Sequence, residues 1–230
     1  VEIKGLQQTS LIDYPGVICA TVFTPGCNLR CPFCHNRDLV LHPERLAMIP
    51  VGEVFALLQK RAHLLEGICV TGGEPTLQPA LEDFLHQAKS LGLKTKLDTN
   101  GTRPDTVLDL LQKGLLDYVA LDVKSPPEKY FYASGGLAEI DAVLATVSIL
   151  RHSSIDHEFR TTVIPGLRRE DLMEIARLLR GARRYVLQSF RPGTLIFPRL
   201  NTKAVLRGKN LQEAAEACRP FVQELKLRGV

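Results

Sequence analysis

The chain has 230 residues, 45% hydrophobic and 23% charged, with a formal net charge of +4. That is the composition of an ordinary globular protein with room for one sizeable α/β domain or two small ones, and a charge this mild does not by itself argue for nucleic acid. No apolar run approaches the roughly 20 residues of a membrane span, and no charged-then-apolar leader opens the sequence. Six cysteines, three clustered and three single, do not make a secreted disulfide framework. A reducing cytoplasm is the expected setting.

Near the start, Pro15-Gly16 signals a turn, and the β-rich run 17–23 reads as a strand. Asp13 just before it suits an Asx turn. The strand delivers the stretch Cys27-Asn28-Leu29-Arg30-Cys31-Pro32-Phe33-Cys34-His35-Asn36. A structural zinc site wants four ligands, usually as two separated pairs, and a four-iron, four-sulfur cluster also normally takes four cysteines. Cys19, Cys69 and Cys218 are scattered, so no fourth thiol is near in sequence. Three thiolates on a cluster leave one iron free for a ligand. A zinc knuckle or a loop disulfide is the plainer alternative. His35 reads as a hydrogen-bonding neighbour of the loop rather than a ligand.

Apolar residues at helical spacing over 51–65 predict a helix closed by Gly67, then a short buried strand 68–70 with Cys69 in the core. Thr71-Gly72-Gly73-Glu74-Pro75 follows, its adjacent glycines allowing close backbone approach to a ligand. The alternation continues with helix 80–91, strand 93–97 ending in Asp98-Thr99-Asn100-Gly101, and helix 104–113 with Pro104 in its first turn. Strand 118–121 ends in Asp122 and Lys124. Helix 137–151, strand 157–163 with Arg160 and Thr162, helix 170–179 and strand 185–190 with Gln188 complete the pattern. Alternating strands and helices predict an α/β fold with a parallel sheet, and six units suggest a partial (β/α)6 barrel. We expect one domain over 1–230, with a core at about 5–190 and a C-terminal extension 191–230 that includes a closing helix over 211–227.

Ligand sites in such folds lie at the C-terminal ends of the strands, and each predicted strand here ends in something polar or metal-binding. Singly, each has a bland reading. Asp98-Thr99-Asn100-Gly101 could be a turn, Asp122 and Lys124 a salt bridge, and Arg160 a partner of Glu158 on the same face. Their recurrence on consecutive strands argues for one site.

The CxxxCxΦC spacing, with Phe33 at Φ, resembles the radical S-adenosylmethionine (radical SAM) superfamily. DYPG, CNLRCPFCHN, GGEP, LDTNG and LDVK in this order are similar to the glycyl-radical-enzyme activating proteins. The opening GLQQTSLIDYPG most resembles the anaerobic ribonucleoside-triphosphate reductase activating subgroup. The match runs from Gly5 to about Phe190.

The resemblance implies a radical SAM oxidoreductase with a 4Fe-4S cluster on Cys27, Cys31 and Cys34, and S-adenosyl-L-methionine as cofactor. It implies Phe33 beside the adenine, and Gly72, Gly73 and Glu74 at the methionine amino group. Lys124 and Arg160 would meet the carboxylate or ribose, with Asn100, Thr162 and Gln188 completing the cofactor-binding set. Asp98, Thr99 and Asp122 match positions that frame a monovalent cation in pyruvate formate-lyase activating enzyme, although Ala120 stands where that enzyme has methionine. Asp13 would face the protein substrate. The cysteine-rich insert of larger activases is absent, so one cluster is expected.

Implied partners are a glycyl radical enzyme, with anaerobic ribonucleotide reductase foremost, and a flavodoxin or ferredoxin-type electron donor. A small-molecule radical SAM enzyme such as 7-carboxy-7-deazaguanine synthase, or a non-catalytic iron-sulfur or zinc protein, is the alternative. Between 180 and 209 the chain carries Arg180, Arg183, Arg184, Arg191, Arg199, Lys203, Arg207 and Lys209 and no acidic residue. That stretch is either a solvated face or a docking surface for an acidic partner.

Overall fold

A computed structural model describes residues 1–136 and 140–229. Its eight strands form one sheet in the order of the chain. The antiparallel edge strand β1 (Gly5–Ser10) is followed by β2 (Cys19–Thr24), β3 (Gly67–Gly72), β4 (Lys94–Thr99), β5 (Tyr118–Asp122), β6 (Asp156–Val163), β7 (Arg184–Ser189) and β8 (Glu224–Arg228). Every pair from β2 to β8 is parallel.

The period-2 alternation of each strand sorts its side chains onto two faces. One face presents Val70, Leu97, Leu121, Phe159 and Leu187, which share a core with Leu85, Leu110, Leu150 and Ile175 of the crossover helices. Burying each large apolar side chain in that layer is worth about 2 kcal/mol. The inner face carries a small apolar plug of Tyr14, Val17, Cys19, Cys69, Tyr118 and Ala120, and above it a polar layer. The crossovers include α2 (Val51–Lys60), α3 (Leu81–Ser90), α4 (Pro104–Gln112), α6 (Ile140–His152) and α7 (Arg169–Leu178).

The parallel partial barrel is as the alternation predicts, with two strands more than expected. β1 arises from GLQQTS, which carries no apolar alternation and pairs along one edge only. The helix expected over 211–227 stops at Cys218 as α8 (Gly208–Cys218), because Pro220 cannot continue it, and ELKLR then forms β8 against β7. Residues 137–139 of the helix expected over 137–151 lie outside the described residues, and α6 runs from Ile140 to His152. Two short helices, α1 (Arg37–Leu41) and α5 (Pro127–Ala133), were not foreseen. No helix among the described residues is long and apolar enough to cross a membrane.

Candidate functional site

The loop after β2 is pinned from several sides before it meets any ligand. Arg30 donates to the carbonyls of Cys27 (2.6 Å) and Leu29 (2.8 Å), and its backbone N–H bonds Ser134 O at 3.0 Å. The end of β3 laces onto the loop's start, with Gly73 N–H on Thr24 O and Glu74 N–H on Gly26 O, both at 2.8 Å. A Cβ at Gly73 would lie 1.8 Å from Gly26 O, and Gly72 has φ +121. Only glycines allow this approach. Asn36 donates to Gly72 O at 2.7 Å and adds a further tie between loop and strand.

Together these segments enclose a cavity of about 310 Å³. Lining it are Cys27, Cys31 and Cys34, with Phe33, Gly72, Gly73, Asp98, Thr99, Asn100, Asp122, Lys124, Arg160, Thr162 and Gln188. The strand-end residues singled out in the sequence are thus brought to one place, with two exceptions.

Glu74 does not line the cavity. It is fully buried, and Oε1 accepts from Thr76 N (3.1 Å), Thr76 Oγ1 (2.6 Å) and Thr99 Oγ1 (2.7 Å), while Oε2 accepts from Asn100 N (2.6 Å). Its carboxylate is spent on holding β4's end in place. Burial still pushes its acidity toward the neutral form, against these donors. Asp13 accepts from Thr21 Oγ1 at 2.8 Å and lies in an adjoining cavity of about 640 Å³. That second space is lined by Ile12, Ser189, Arg191, Arg228 and Gly229, and shares His35, Asp98, Arg160, Thr162 and Gln188 with the first. It sits between the end of β1 and the ends of β7 and β8, the two margins of the sheet.

The floor is an ion network. Asp98 Oδ2 accepts from Arg160 Nη1 at 3.1 Å, Asp122 Oδ1 accepts from Arg160 Nε at 2.8 Å, and Lys124 Nζ lies 3.7 Å from Asp122 Oδ2. Beneath, the Lys96 ammonium pairs with Asp98 Oδ1. Burial works against the charged Asp98 carboxylate, but Arg160 and Lys96 outweigh it and hold its pKa down at about 2. Burial likewise works against Lys124, yet negative charge on Cys31, as thiolate, and on Asp122 pushes its pKa upward. Its ammonium stands 5.7 Å from the centre of the Phe33 ring. Arg160 does not pair with Glu158 by hydrogen bond. Glu158 is instead held by Tyr118 and Arg228.

Burial raises the pKa of all three loop thiols, with Lys124 opposing it. Among the residues missed in the sequence, Thr71 lines the cavity as the last side chain before the glycines, and Lys96 was hidden because KTKLDT reads as a half-solvated strand.

The radical SAM superfamily model matches residues 21–179 of this chain. A Methanocaldococcus jannaschii protein, MJ1227, named provisionally as a glycyl-radical enzyme activating enzyme, is 30% identical over 99% of this chain and 96% of its own length. Pyruvate formate-lyase 1-activating enzyme of Escherichia coli K12 is 28% identical over 74% of this chain and 70% of that protein. In fold the chain is similar to Streptococcus suis SuiB bound to S-adenosylmethionine, with a TM-score of 0.67 at 14% identity, covering 90% of this chain and 51% of that one.

Proposed function

The chain belongs to the radical SAM superfamily and to its glycyl-radical-enzyme activating enzymes, and from that premise we propose that its substrate is a glycine of an anaerobic ribonucleotide reductase. Family membership implies a 4Fe-4S cluster and SAM. The residues fit both. Three thiols from one loop share one cavity, and Cys19, Cys69 and Cys218 do not line it, so the donor set is the three-cysteine set that leaves one iron open. When bound, the cluster would supply the one-electron reduction that cleaves SAM to methionine and a hydrogen-abstracting radical.

The chain's own part is placement and exclusion of water. Cys27, Cys31 and Cys34 would hold the cluster. Gly72 and Gly73 would bring backbone to the methionine amino group, while Lys124 and Arg160 would present positive charge to its carboxylate. Phe33 would give the adenine an apolar face, and Thr99, Asn100, Thr162 and Gln188 would offer polar edges to the ribose and methionine. Glu74 positions Thr99 and Asn100. A metal cation has no part in this function as we read it, since Asp98 and Asp122 already face cationic side chains.

The observation that carries the protein-substrate reading is the second cavity, which shares five lining residues with the first and has the exposed Ile12 (82%) at its edge, next in the chain to exposed Leu11. A wide lateral opening beside the SAM site, with two exposed apolar side chains in the adjoining segment, suits a loop of a protein better than a free small molecule. The subgroup rests on the opening GLQQTSLIDYPG and the single cysteine motif.

The basic stretch 180–209 divides in the fold. Arg183 pairs with Asp156, Arg184 with Glu224, and Arg180 stacks on Phe221. Arg191, Arg199 and Lys203 stay exposed on the segment whose Phe197 N–H bonds Pro32 O at 2.9 Å, beside the cysteine loop. We assign that face to an acidic flavodoxin or ferredoxin-type electron donor.

The test is anaerobic. Reconstituted protein with dithionite and SAM should yield 5′-deoxyadenosine and methionine, and adding the reductase should produce a glycyl-radical electron paramagnetic resonance signal on that partner. Cys31→Ala should abolish both. SAM cleavage without a glycyl signal on the reductase, but with one on another glycyl radical enzyme, would move the partner. Cleavage coupled only to a small molecule would overturn the activase reading.

A further inference from the structure

The polar floor contains a cation that the function above does not use. Lys96 stands two residues before Asp98 on β4, on the same inner face, and is 1% exposed. Its ammonium pairs with Asp98 Oδ1, lies 3.6 Å from Cys69 Sγ and sits 5.8 Å from the centre of the Tyr118 ring. The whole methylene stem and its ammonium are thus sunk into the barrel to reach one carboxylate. Desolvation opposes that charge, and Asp98 with Cys69 keeps it on.

The charge count explains the placement. A ligand carboxylate arriving here would meet Asp98 and Asp122, two like charges at the strand ends. Against them stand Lys96, Arg160 and Lys124, so the cluster of five is net positive by one and can accept one anion. A metal ion bridging Asp98 and Asp122 would need oxygen lone pairs. Asp98 Oδ1 is given to Lys96, while its Oδ2 accepts from Arg160 and, at 3.4 Å, from Thr71 Oγ1. Asp122 Oδ1 is given to Arg160, and its Oδ2 faces the Lys124 ammonium at 3.7 Å. A monovalent ion would replace good charge-assisted hydrogen bonds by contacts no stronger, next to three cations that repel it.

We propose that Lys96 is an internal substitute for the monovalent cation that the sequence resemblance implies, so that this chain receives the SAM carboxylate without potassium or sodium. Lys96 acts through Asp98 and is a positioning residue. The inference rests on the SAM site assigned above.

The experiment measures SAM affinity directly, by isothermal titration of the anaerobically reconstituted protein, at fixed ionic strength in potassium, sodium or tetramethylammonium chloride. Wild type should bind with the same Kd, within about twofold, in all three salts. Lys96→Met keeps the length of the side chain and removes the charge. It should bind SAM about tenfold more weakly in tetramethylammonium, the loss of one charge-assisted interaction, and recover most of that loss in potassium or sodium.

A wild-type Kd that needs potassium would overturn the proposal without any variant. So would a Lys96→Met protein that binds normally in tetramethylammonium, or one that is weakened equally in every salt, which is the signature of a packing role. Failure of wild type to bind SAM in any salt would overturn the site assignment itself, a distinct outcome.

Discussion

Glu158 and Arg160 stand two residues apart on the same face of β6 and belong to different networks. Arg160 reaches to the mouth of the barrel, where it ties Asp98 to Asp122 across β4, β5 and β6. Glu158, 1% exposed, turns the other way, to Tyr118 Oη at 3.1 Å and Arg228 at 3.3 Å; Tyr118 in turn accepts from Arg184, which also holds Glu224 at 2.6 Å. Both layers are charged and cross-strand. Cavities do not separate them either, since one of about 330 Å³ lies at the lower end, lined by Tyr118 and Arg184. What differs is the surroundings, since each set has three cations for two carboxylates. Below, Arg184, Arg228 and Lys226 face Glu158 and Glu224, and Arg228, Lys226 and Glu224 all reach solvent, which screens the set. Above, Lys96, Arg160 and Lys124 are nearly buried and face Asp98 and Asp122 on a cavity shared with three cysteines, a set that water does not screen. Charge in a barrel is therefore not by itself a mark of a site; an unscreened, uncompensated set lining a cavity at the strand ends is.

The sharpest way to break this distinction is Arg160→Met. It should weaken SAM binding by about a hundredfold, because two carboxylates lose their shared partner as the ligand loses its own, a cost of about 3 kcal/mol. Titration of the loaded protein checks it. If SAM affinity held while only stability fell, the upper layer would be as structural as the lower. The next effect is read in acid. Asp98 has a folded pKa of about 2 against an ordinary 3.8, so its contribution to stability is complete above the ordinary carboxylate range and is lost as pH falls through about 2. That contribution is about 2 kcal/mol. Urea unfolding from pH 5 to pH 2 should show wild type losing its lead over Asp98→Asn across that window.

The mouth was legible in the sequence because its residues sit where apolar runs end, and a run of strands ending in polar residues is visible without knowing how they pack. The parallel sheet was legible for the same reason. The hydrogen bonds of Glu74 were not legible because the sequence shows a carboxylate after two glycines but not that Thr76 and Thr99 turn inward to meet it. Lys96 was invisible because a lysine alternating with Lys94 looks like a solvated face, whereas curvature of the sheet encloses it. β1 escaped because it carries no apolar alternation, and β8, whose ELKLR does alternate, was absorbed into the helix expected over 211–227. The split of the basic stretch into paired and exposed halves depends on where Asp156 and Glu224 come to lie, which no local pattern encodes.

The smallest effect is the most specific check on the lower layer. Glu158→Gln keeps the shape and a hydrogen-bonding group but removes the charge that Arg228 and Tyr118 share. Arg228 is 43% exposed, so water takes over much of its solvation, and the cost should be about 1 kcal/mol rather than the several expected where both members of a broken pair are buried. Thermal or urea unfolding measures it. The SAM Kd should stay within about twofold, because Glu158 lines neither cavity of the mouth. Arg228 does line the lateral one, and freed from Glu158 it can swing toward the opening. Any change should therefore appear in the encounter with the protein partner, as a shift in half-saturating partner concentration at constant SAM affinity. A change in SAM affinity instead would mean that the two layers act as one network through β6.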